Sequence, residues 1–148
     1  MAGIERRAEV VWEGTLASGS GEATAASSGA FGPLPVTWAA RTEQAEGKTS
    51  PEELVAAAHA ACYAMAFSHV LAEAGSPAER LEVAAVVGAE LGDEGLRVVS
   101  SELTVNGRVP GMDAADFVRH AQDADRGCPV SNALRGNVEI RVDARLED

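Results

Sequence analysis

The sequence contains one lysine, two cysteines and few aromatic residues, and each shortage limits what the protein can do. Acidic residues outnumber basic residues by 23 to 12, so the formal net charge is −11. Proteins that bind nucleic acid need clustered Lys and Arg to displace counterions from phosphate groups. We therefore expect no nucleic-acid partner, and the same acidic charge argues against an anionic membrane surface.

The composition predicts a single domain with a core of small side chains. The 148 residues are enough for one domain over 1–148 that buries a true core. Aromatic residues supply 4% of the chain, so Ala, Val and Leu must provide most of the buried surface. Because small side chains bury little area each, this composition favours extra burial through oligomerisation.

No export signal is recognisable in the sequence. Residues 1–13 carry charges and lack an apolar segment before a cleavage site. The longest apolar stretch, 54–67, is too short to span a bilayer. We expect a cytoplasmic location without membrane contact, where stable disulfides are rare and cysteines more often serve catalysis or redox sensing.

The residues before the long apolar stretch have the pattern of strands and turns. Apolar residues alternate with charged or small ones over 8–14, which predicts a first strand. Residues 22–27 can pair back on that strand as a hairpin. The polar segment 41–49 is predicted to be a loop.

A long helix is predicted to begin at Pro51. Ser50 can cap its first free amides, Pro51 suits the first helical position, and Glu53 completes a capping box. The helix is expected to end just before Gly75. Because residues 54–67 are apolar nearly all round, we expect a central helix rather than a surface helix.

The remaining sequence predicts a hairpin, two helices and a final strand. Alternation over 80–91 and 97–109 indicates two antiparallel strands. A helix is predicted over 113–125, a short helix follows it, and a strand covers 138–146. The order of these elements predicts an α+β protein with mostly antiparallel sheet.

Cys62 and Cys128 differ in what could lower their pKa. A cysteine attacks only as its thiolate. Cys128 precedes Pro129 at a predicted helix start, where free amides and the helix dipole favour negative charge. Cys62 lies in the middle of the long helix, where burial among alanines raises a thiol pKa. It can react only if folding or association brings a cation to it.

Arg41 and Glu52 are the candidates for supplying and orienting that cation. Arg41 is the nearest arginine before the helix, and Glu52 could hold its guanidinium. Glu52 and Cys62 are ten residues apart in the sequence, so about 15 Å separates them along the helix axis. A second copy of the helix, packed antiparallel, would bring Glu52 of one chain near Cys62 of the other. We therefore predict a site composed across a dimer interface.

Simpler explanations exist for each of these residues. A cysteine in an alanine-rich helix is most often a small core residue. His59, one turn before Cys62, could be a base or a metal ligand, but a buried helix histidine is more often a hydrogen-bonded packing residue. His59, Cys62 and Cys128 could form a partial zinc site, although no fourth ligand suggests itself. Glu52 and Arg41 could be a dipole-stabilised carboxylate and a solvated loop charge.

Two segments carry a resemblance to a known family. Residues 50–62 are Ser-Pro-Glu-Glu-Leu-Val-Ala-Ala-Ala-His-Ala-Ala-Cys, and residues 128–135 are Cys-Pro-Val-Ser-Asn-Ala-Leu-Arg. Together with the element order along nearly the whole chain, they resemble the OsmC/Ohr family of thiol peroxidases. His59 in the first segment is similar to the OsmC branch, whereas residues 131–137 are closer to the Ohr branch.

The resemblance implies a cysteine-based peroxidase without haem, metal or flavin. It implies mostly antiparallel sheets wrapped around central long helices in an intertwined homodimer, with two sites at the interface. Carried over to this sequence, Cys62 is the peroxidatic cysteine, Cys128 the resolving cysteine, Glu52 the motif glutamate and Arg41 its arginine partner. The implied substrates are organic hydroperoxides and, more weakly, hydrogen peroxide, with an external thiol or dithiol as reductant.

Two other functions fit the same sequence. A small-molecule-binding protein on this fold would leave Cys62 redox-inert. A thiol redox sensor would oxidise Cys62 once and signal through its disulfide instead of clearing peroxide. Repeated turnover with peroxide and a dithiol distinguishes a peroxidase from both.

Overall fold

The computed structural model describes residues 3–148. The chain forms two compact units, Met1–Pro51 and Glu52–Asp148, and each unit contains one three-stranded sheet. Antiparallel pairs predominate in these sheets, and together with the helices they confirm the predicted α+β fold class. The expectation of one domain over 1–148 stays a prediction.

The N-terminal unit is built on a sheet with β2 in its middle. Strand β1 covers Glu9–Glu13, β2 covers Ser20–Thr24 and β3 covers Leu34–Val36. Strand β2 pairs antiparallel with both neighbours, so the predicted hairpin of the first two strands is confirmed.

The predicted loop over 41–49 is wrong at its first two residues, which belong to helix α1, Trp38–Thr42. The Thr37 side chain caps this helix by accepting a hydrogen bond from the Ala40 backbone N–H over 3.0 Å. A threonine cap followed by Trp-Ala-Ala-Arg is a helix start that the sequence interpretation overlooked. Arg41 therefore lies on a helix and not in a loop.

The C-terminal unit contains a sheet with β5 in its middle. Its strands are β4, Arg80–Gly92; β5, Gly95–Arg108; and β6, Glu139–Leu146. Strands β4 and β5 form the predicted antiparallel hairpin, whereas β6 runs parallel to β5. Leu103 and Val105 of the central strand are buried in the core.

The long helix α2 covers Pro51–Glu73, with the start and end that the sequence predicts. After it, Gly75 adopts a positive φ of 84°, and the Ser76 N–H donates to the Leu71 carbonyl over 3.0 Å. This arrangement closes the last turn, and it favours glycine because a Cβ disfavours the left-handed backbone conformation.

A single stripe of α2 is completely buried within the chain. His59, Tyr63, Phe67 and Leu71 recur every fourth residue, the spacing that places side chains on one helix face, and each has no exposed surface. Met65, which lies between two of them in sequence, is 71% exposed. The core of this chain therefore covers only part of the apolar surface of α2.

Helix α2 is long and apolar enough to cross a bilayer, so the shortness of the stretch 54–67 does not by itself exclude a membrane span. The helix continues past the stretch 54–67 as far as Glu73. An apolar core helix of a globular domain satisfies the same two criteria. Because α2 buries His59 and three apolar side chains against its own fold, we interpret it as a core helix.

Two shorter helices lie between β5 and β6. Helix α3 covers Ala114–Gly127, and its cap Asp113 accepts a hydrogen bond from the Asp116 N–H over 2.8 Å. Helix α4 covers Pro129–Leu134 and has Cys128 as its N-cap, as the Cys-Pro pair predicts. Both helices therefore begin where the sequence indicates.

The core of the C-terminal unit is formed by α2, α3 and the sheet. Phe67 of α2 and Phe117 of α3 pack with their ring centroids 5.0 Å apart. Phe117 also lies against Gly107 of β5, where an added Cβ would stand 2.5 Å from the ring. The close approach of helix and strand therefore requires glycine at this position. The other buried members of the cluster are Tyr63, Leu71, Leu103, Val105, Val109, Ala121, Ala124 and Cys128.

Candidate active site

The two cysteines lie together where α2 meets the start of α4. Both are free thiols; Cys62 is half-buried on α2, and Cys128 is fully buried as the N-cap of α4. Cys62 packs against the buried cluster that contains Cys128, and Cys128 lies close enough to raise the pKa of the Cys62 thiol. The fold therefore brings together two reduced sulfurs that are distant in sequence.

The first turn of α4 places backbone N–H groups near both sulfurs. The Ser131 N–H donates to Cys128 Sγ over 3.5 Å, and the Val130 N–H lies close enough to lower the pKa of Cys62. Amides in the first turn of a helix lack partners within the helix, so they are available for such bonds. Pro129 occupies the first helical position, where its missing N–H costs no hydrogen bond.

The surroundings of Cys62 favour the protonated thiol. Burial raises the pKa of Cys62, the N–H of Val130 opposes this by lowering it, and the contact with Cys128 raises it. This is the direction expected of a mid-helix cysteine among alanines. Ionisation of Cys62 at neutral pH therefore calls for a positive charge near the sulfur.

Arg41 and Glu52 lie in different units of the chain. Arg41 is exposed on α1, and its guanidinium carbon stands 5.8 Å from the centre of the Trp38 ring, within the range of a cation–π contact. Glu52 is half-buried in the first turn of α2, where the helix dipole stabilises a carboxylate. The pairing of Arg41 with Glu52, and the action of either residue on Cys62, stay predictions.

His59 is fully buried on α2, one turn before Cys62. Its Nδ1 lies 2.6 Å from Ser101 Oγ on β5, and its Nε2 lies 2.7 Å from Ser131 Oγ on α4. Burial lowers the pKa of His59, with opposition from the Asp125 carboxylate, so the neutral ring is favoured. His59 is therefore a hydrogen-bonded packing residue, which is one of the alternatives left open by the sequence.

The structure offers little support for the partial zinc site. Within residues 3–148, no group of three or more His, Cys, Asp or Glu side chains is arranged to hold a metal ion. Each ring nitrogen of His59 is at hydrogen-bond distance from a serine hydroxyl. His59 thus has no free ring nitrogen to share with the two cysteines around a metal.

Asp125 and Arg135 are site residues that sequence reasoning did not single out. Asp125 lies buried near the end of α3, and Arg135 follows the last residue of α4 as its C-cap. The Arg135 Nη2 donates to Asp125 Oδ2 and to the Asp125 carbonyl oxygen, each over 3.2 Å. This pair ties the ends of two helices together around Cys128. The available signal was Arg135 itself, within the segment that resembles the family.

Comparisons with known proteins agree with this arrangement. A family model described as OsmC-like protein matches residues 43–143. Peroxiredoxin OsmC of Escherichia coli is 37% identical over 144 residues, which cover 97% of this chain and 98% of that protein. The organic hydroperoxide resistance protein of Xanthomonas axonopodis pv. citri is 36% identical over 97 residues, which cover 64% of this chain and 65% of that protein.

Solved structures share the fold. The organic hydroperoxide resistance protein OhrB of Bacillus subtilis superposes with a TM-score of 0.72 at 26% identity, over 94% of this chain and 98% of that chain. An organic hydroperoxide resistance protein OsmC from Legionella pneumophila gives a TM-score of 0.73 at 24% identity, over 98% of this chain and 99% of that chain. These matches confirm the resemblance seen in the two cysteine segments, and the chain belongs to the OsmC-like protein family.

Proposed function

We propose that the protein is a thiol-dependent peroxidase that reduces organic hydroperoxides and, more weakly, hydrogen peroxide. The observation that carries this proposal is the proximity of the Cys62 thiol to Cys128. Two reduced sulfurs that lie close together can form a disulfide once one of them is oxidised. The names of the relatives, peroxiredoxin and organic hydroperoxide resistance protein, support the same chemistry.

Burial supports the assignment of roles to the two cysteines. Cys62 is half-buried, so a peroxide can reach it, whereas Cys128 has no exposed surface. Cys62 is therefore the attacking residue and Cys128 the resolving residue. Apolar neighbours on α2, chiefly alanines, suit an alkyl hydroperoxide better than hydrogen peroxide.

The reaction proceeds in three steps. The Cys62 thiolate attacks one peroxide oxygen, the O–O bond breaks, and the alkoxide leaves as the alcohol after taking a proton, so that Cys62 becomes a sulfenic acid. The Cys128 sulfur then attacks the Cys62 sulfur, water leaves, and a disulfide forms. An external thiol or dithiol reduces that disulfide and restores both thiols.

Arg41 and Glu52 are assigned to the ionisation of Cys62. Burial raises the pKa of Cys62, and a guanidinium beside the sulfur would favour the thiolate. The same guanidinium would stabilise the negative charge that develops on the peroxide oxygen, while Glu52 would hold it in orientation. These roles come from the resemblance to the family and from the need for a cation.

The proposed partners are a second copy of the chain, a hydroperoxide and an external thiol or dithiol, all in the cytoplasm. A homodimer is supported by the outward side of α2, where Met65 is 71% exposed. That side borders a groove of about 540 Å³. Exposed apolar surface of this kind marks an interface, and the same surface on a second copy can cover it by two-fold symmetry.

Peroxide consumption by three forms of the protein tests the proposed function. With cumene hydroperoxide and a dithiol, the native protein is expected to turn over repeatedly. Cys62→Ser is expected to lose about a thousandfold or more of this rate, because the nucleophile is gone. Cys128→Ser, assayed without reductant, is expected to consume one equivalent and to accumulate a sulfenic acid on Cys62.

Intact mass after one equivalent of peroxide completes the test. Loss of the two thiol hydrogens, with Cys62 and Cys128 joined in a peptide map, is the expected result. A native protein that remains a dithiol would contradict the proposal and favour a binding protein. A protein that forms the disulfide but is not reduced and reoxidised in repeated cycles would be a redox sensor instead.

A further inference from the structure

We propose that His59 is a positioning residue that fixes Cys128 beside Cys62 through its hydrogen bond to Ser131. The inference rests on the proposed redox function of the cysteine pair and adds the device that sets its geometry. His59 acts through Ser131 on the helix that carries Cys128, and not as a base on either sulfur.

One imidazole ring joins three elements of the C-terminal unit. His59 belongs to α2, and its two nitrogens lie 2.6 Å from Ser101 Oγ on β5 and 2.7 Å from Ser131 Oγ on α4. All three residues are completely buried. Because water cannot replace a lost bond at such a place, each bond restrains its element more firmly than a surface bond does.

Ser131 transmits this restraint to the sulfurs. Its hydroxyl meets His59, while its backbone N–H donates to Cys128 Sγ over 3.5 Å. The N–H of the preceding residue, Val130, lies near the Cys62 sulfur. The turn beside both sulfurs is therefore the turn that His59 holds in place.

The other end of α4 is held in a different way. Arg135 pairs with Asp125 of α3 over 3.2 Å, and its side chain is 46% exposed. Water competes for an ion pair of that exposure. The Cys128 end of this six-residue helix is restrained by the buried His59–Ser131 bond and by Asn132, whose Nδ2 donates to the Arg126 carbonyl of α3 over 3.1 Å. Of these two, the bond to His59 is the one that links this end to α2.

Thiol–disulfide exchange with glutathione measures this geometry without any peroxide. The thiols of Cys62 and Cys128 reduce one oxidised glutathione, so that the protein gains an intramolecular disulfide and two reduced glutathione molecules form. Two electrons pass to glutathione, and the two thiol protons end on its sulfurs. The equilibrium gives the effective concentration of Cys128 at Cys62, which depends on how well the two are held together.

Ser131→Ala and Ser101→Ala are a matched pair for this measurement. Each removes one hydroxyl from the His59 ring, but Ser131 alone belongs to the helix that carries Cys128. In the full-length protein, equilibrated in glutathione buffers and trapped for mass analysis, Ser131→Ala is expected to lower the effective concentration about tenfold. Ser101→Ala is expected to stay within about twofold of the native protein.

A second pair of variants keeps the test decisive if a serine variant fails to fold. The amide of Gln at position 59 can reach the place of Nε2, and the amide of Asn can reach the place of Nδ1. His59→Gln is therefore expected to retain most of the effective concentration of Cys128 at Cys62. In His59→Asn this effective concentration is expected to fall by about as much as in Ser131→Ala.

The outcomes separate this inference from the proposed peroxidase activity. Equal losses in the two serine variants would show general loosening of the core and would overturn the role of His59. An unchanged or higher effective concentration in Ser131→Ala would also overturn it, as would a native protein that forms no disulfide in glutathione. If the native protein forms the Cys62–Cys128 disulfide in glutathione but consumes no peroxide, the result contradicts the peroxidase proposal and leaves the role of His59 intact.

Discussion

The two sides of α2 both carry apolar side chains but have different surroundings. On the inner side, four residues at intervals of four are completely buried: His59, Tyr63, Phe67 and Leu71. On the outer side, Met65 is 71% exposed. Cys62 lies at the border between them, half-buried and close to Cys128.

This difference shows how one helix can serve both the core and the proposed reactive site. The inner side holds the helix rigidly through aromatic packing and through the His59 bridge. The outer side leaves a way for a substrate or a partner to approach. A cysteine at the border is held in position by the packing of the inner side and stays accessible to solvent on the outer side. A wholly buried cysteine would not be accessible, and a wholly exposed one would not be held in place.

The largest expected effect is at the centre of the inner side. Phe67→Ala should lower the free energy of unfolding by about 3–5 kcal/mol, because it removes a buried ring and leaves a cavity against Phe117. Denaturant titration of the native protein and the variant measures this loss, which should appear at every protein concentration. A loss below about 1 kcal/mol would show that the inner side of α2 is not the main core.

A charge on the outer side should separate the two copies of the proposed dimer without unfolding the chain. Met65→Glu is expected to raise the dimer dissociation constant about a hundredfold, measured by analytical ultracentrifugation, while circular dichroism stays native. Val86→Glu is the control, because Val86 is 65% exposed on β4 instead of α2. Equal effects of the two variants, or a native protein that is monomeric at all concentrations, would contradict the interface.

The smallest effect is a pH dependence that arises on the inner side. The pKa of folded His59 lies below its ordinary value of 6.5, because burial outweighs the opposing Asp125 carboxylate, and Arg135 adds to the lowering. Below 6.5 the unfolded chain therefore binds more protons than the folded chain. The stability contributed by neutral His59 is complete above pH 6.5 and declines as the pH falls toward the folded value.

His59→Gln removes this titration and serves as the reference. Denaturant unfolding of both proteins between pH 8 and pH 5 should show the native protein losing its stability advantage as the solution becomes acidic. An advantage that stays constant over that range would mean that the pKa of His59 is not lowered by folding.

Local structure could largely be predicted because its signals lie within a few residues of each other. The Ser-Pro-Glu-Glu start of α2, the Asp113 cap of α3 and the Cys-Pro start of α4 are such signals, and all three helices begin there. Helix α1 was missed because five residues give a weak signal and polar neighbours suggested a loop. The parallel pairing of β6 with β5 could not be predicted either, because it depends on the path of the chain between distant strands.

The candidate site could be predicted only in part. The two cysteine segments pointed to Cys62 and Cys128 as candidates, and the resemblance to a family supplied their proposed roles. Ser101 carried no signal, because a serine within an apolar strand is common and its partner His59 lies 42 positions away. Asp125 likewise could not be distinguished in the sequence from the other acidic residues, and only its contact with Arg135 in the structure sets it apart.

Composition and periodicity by themselves determined the acidic surface, the helix starts, the alternating strands and the two sulfurs that carry the proposed chemistry. They did so because charge, capping and hydrophobic alternation act over short stretches of chain. Tertiary structure alone decided that Cys62 and Cys128 lie close together, that one imidazole ring bridges β5 and α4, and that a single stripe of α2 is completely buried. Those outcomes depend on which surfaces pack together, and an apolar helix has the same hydropathy whichever of its sides is covered.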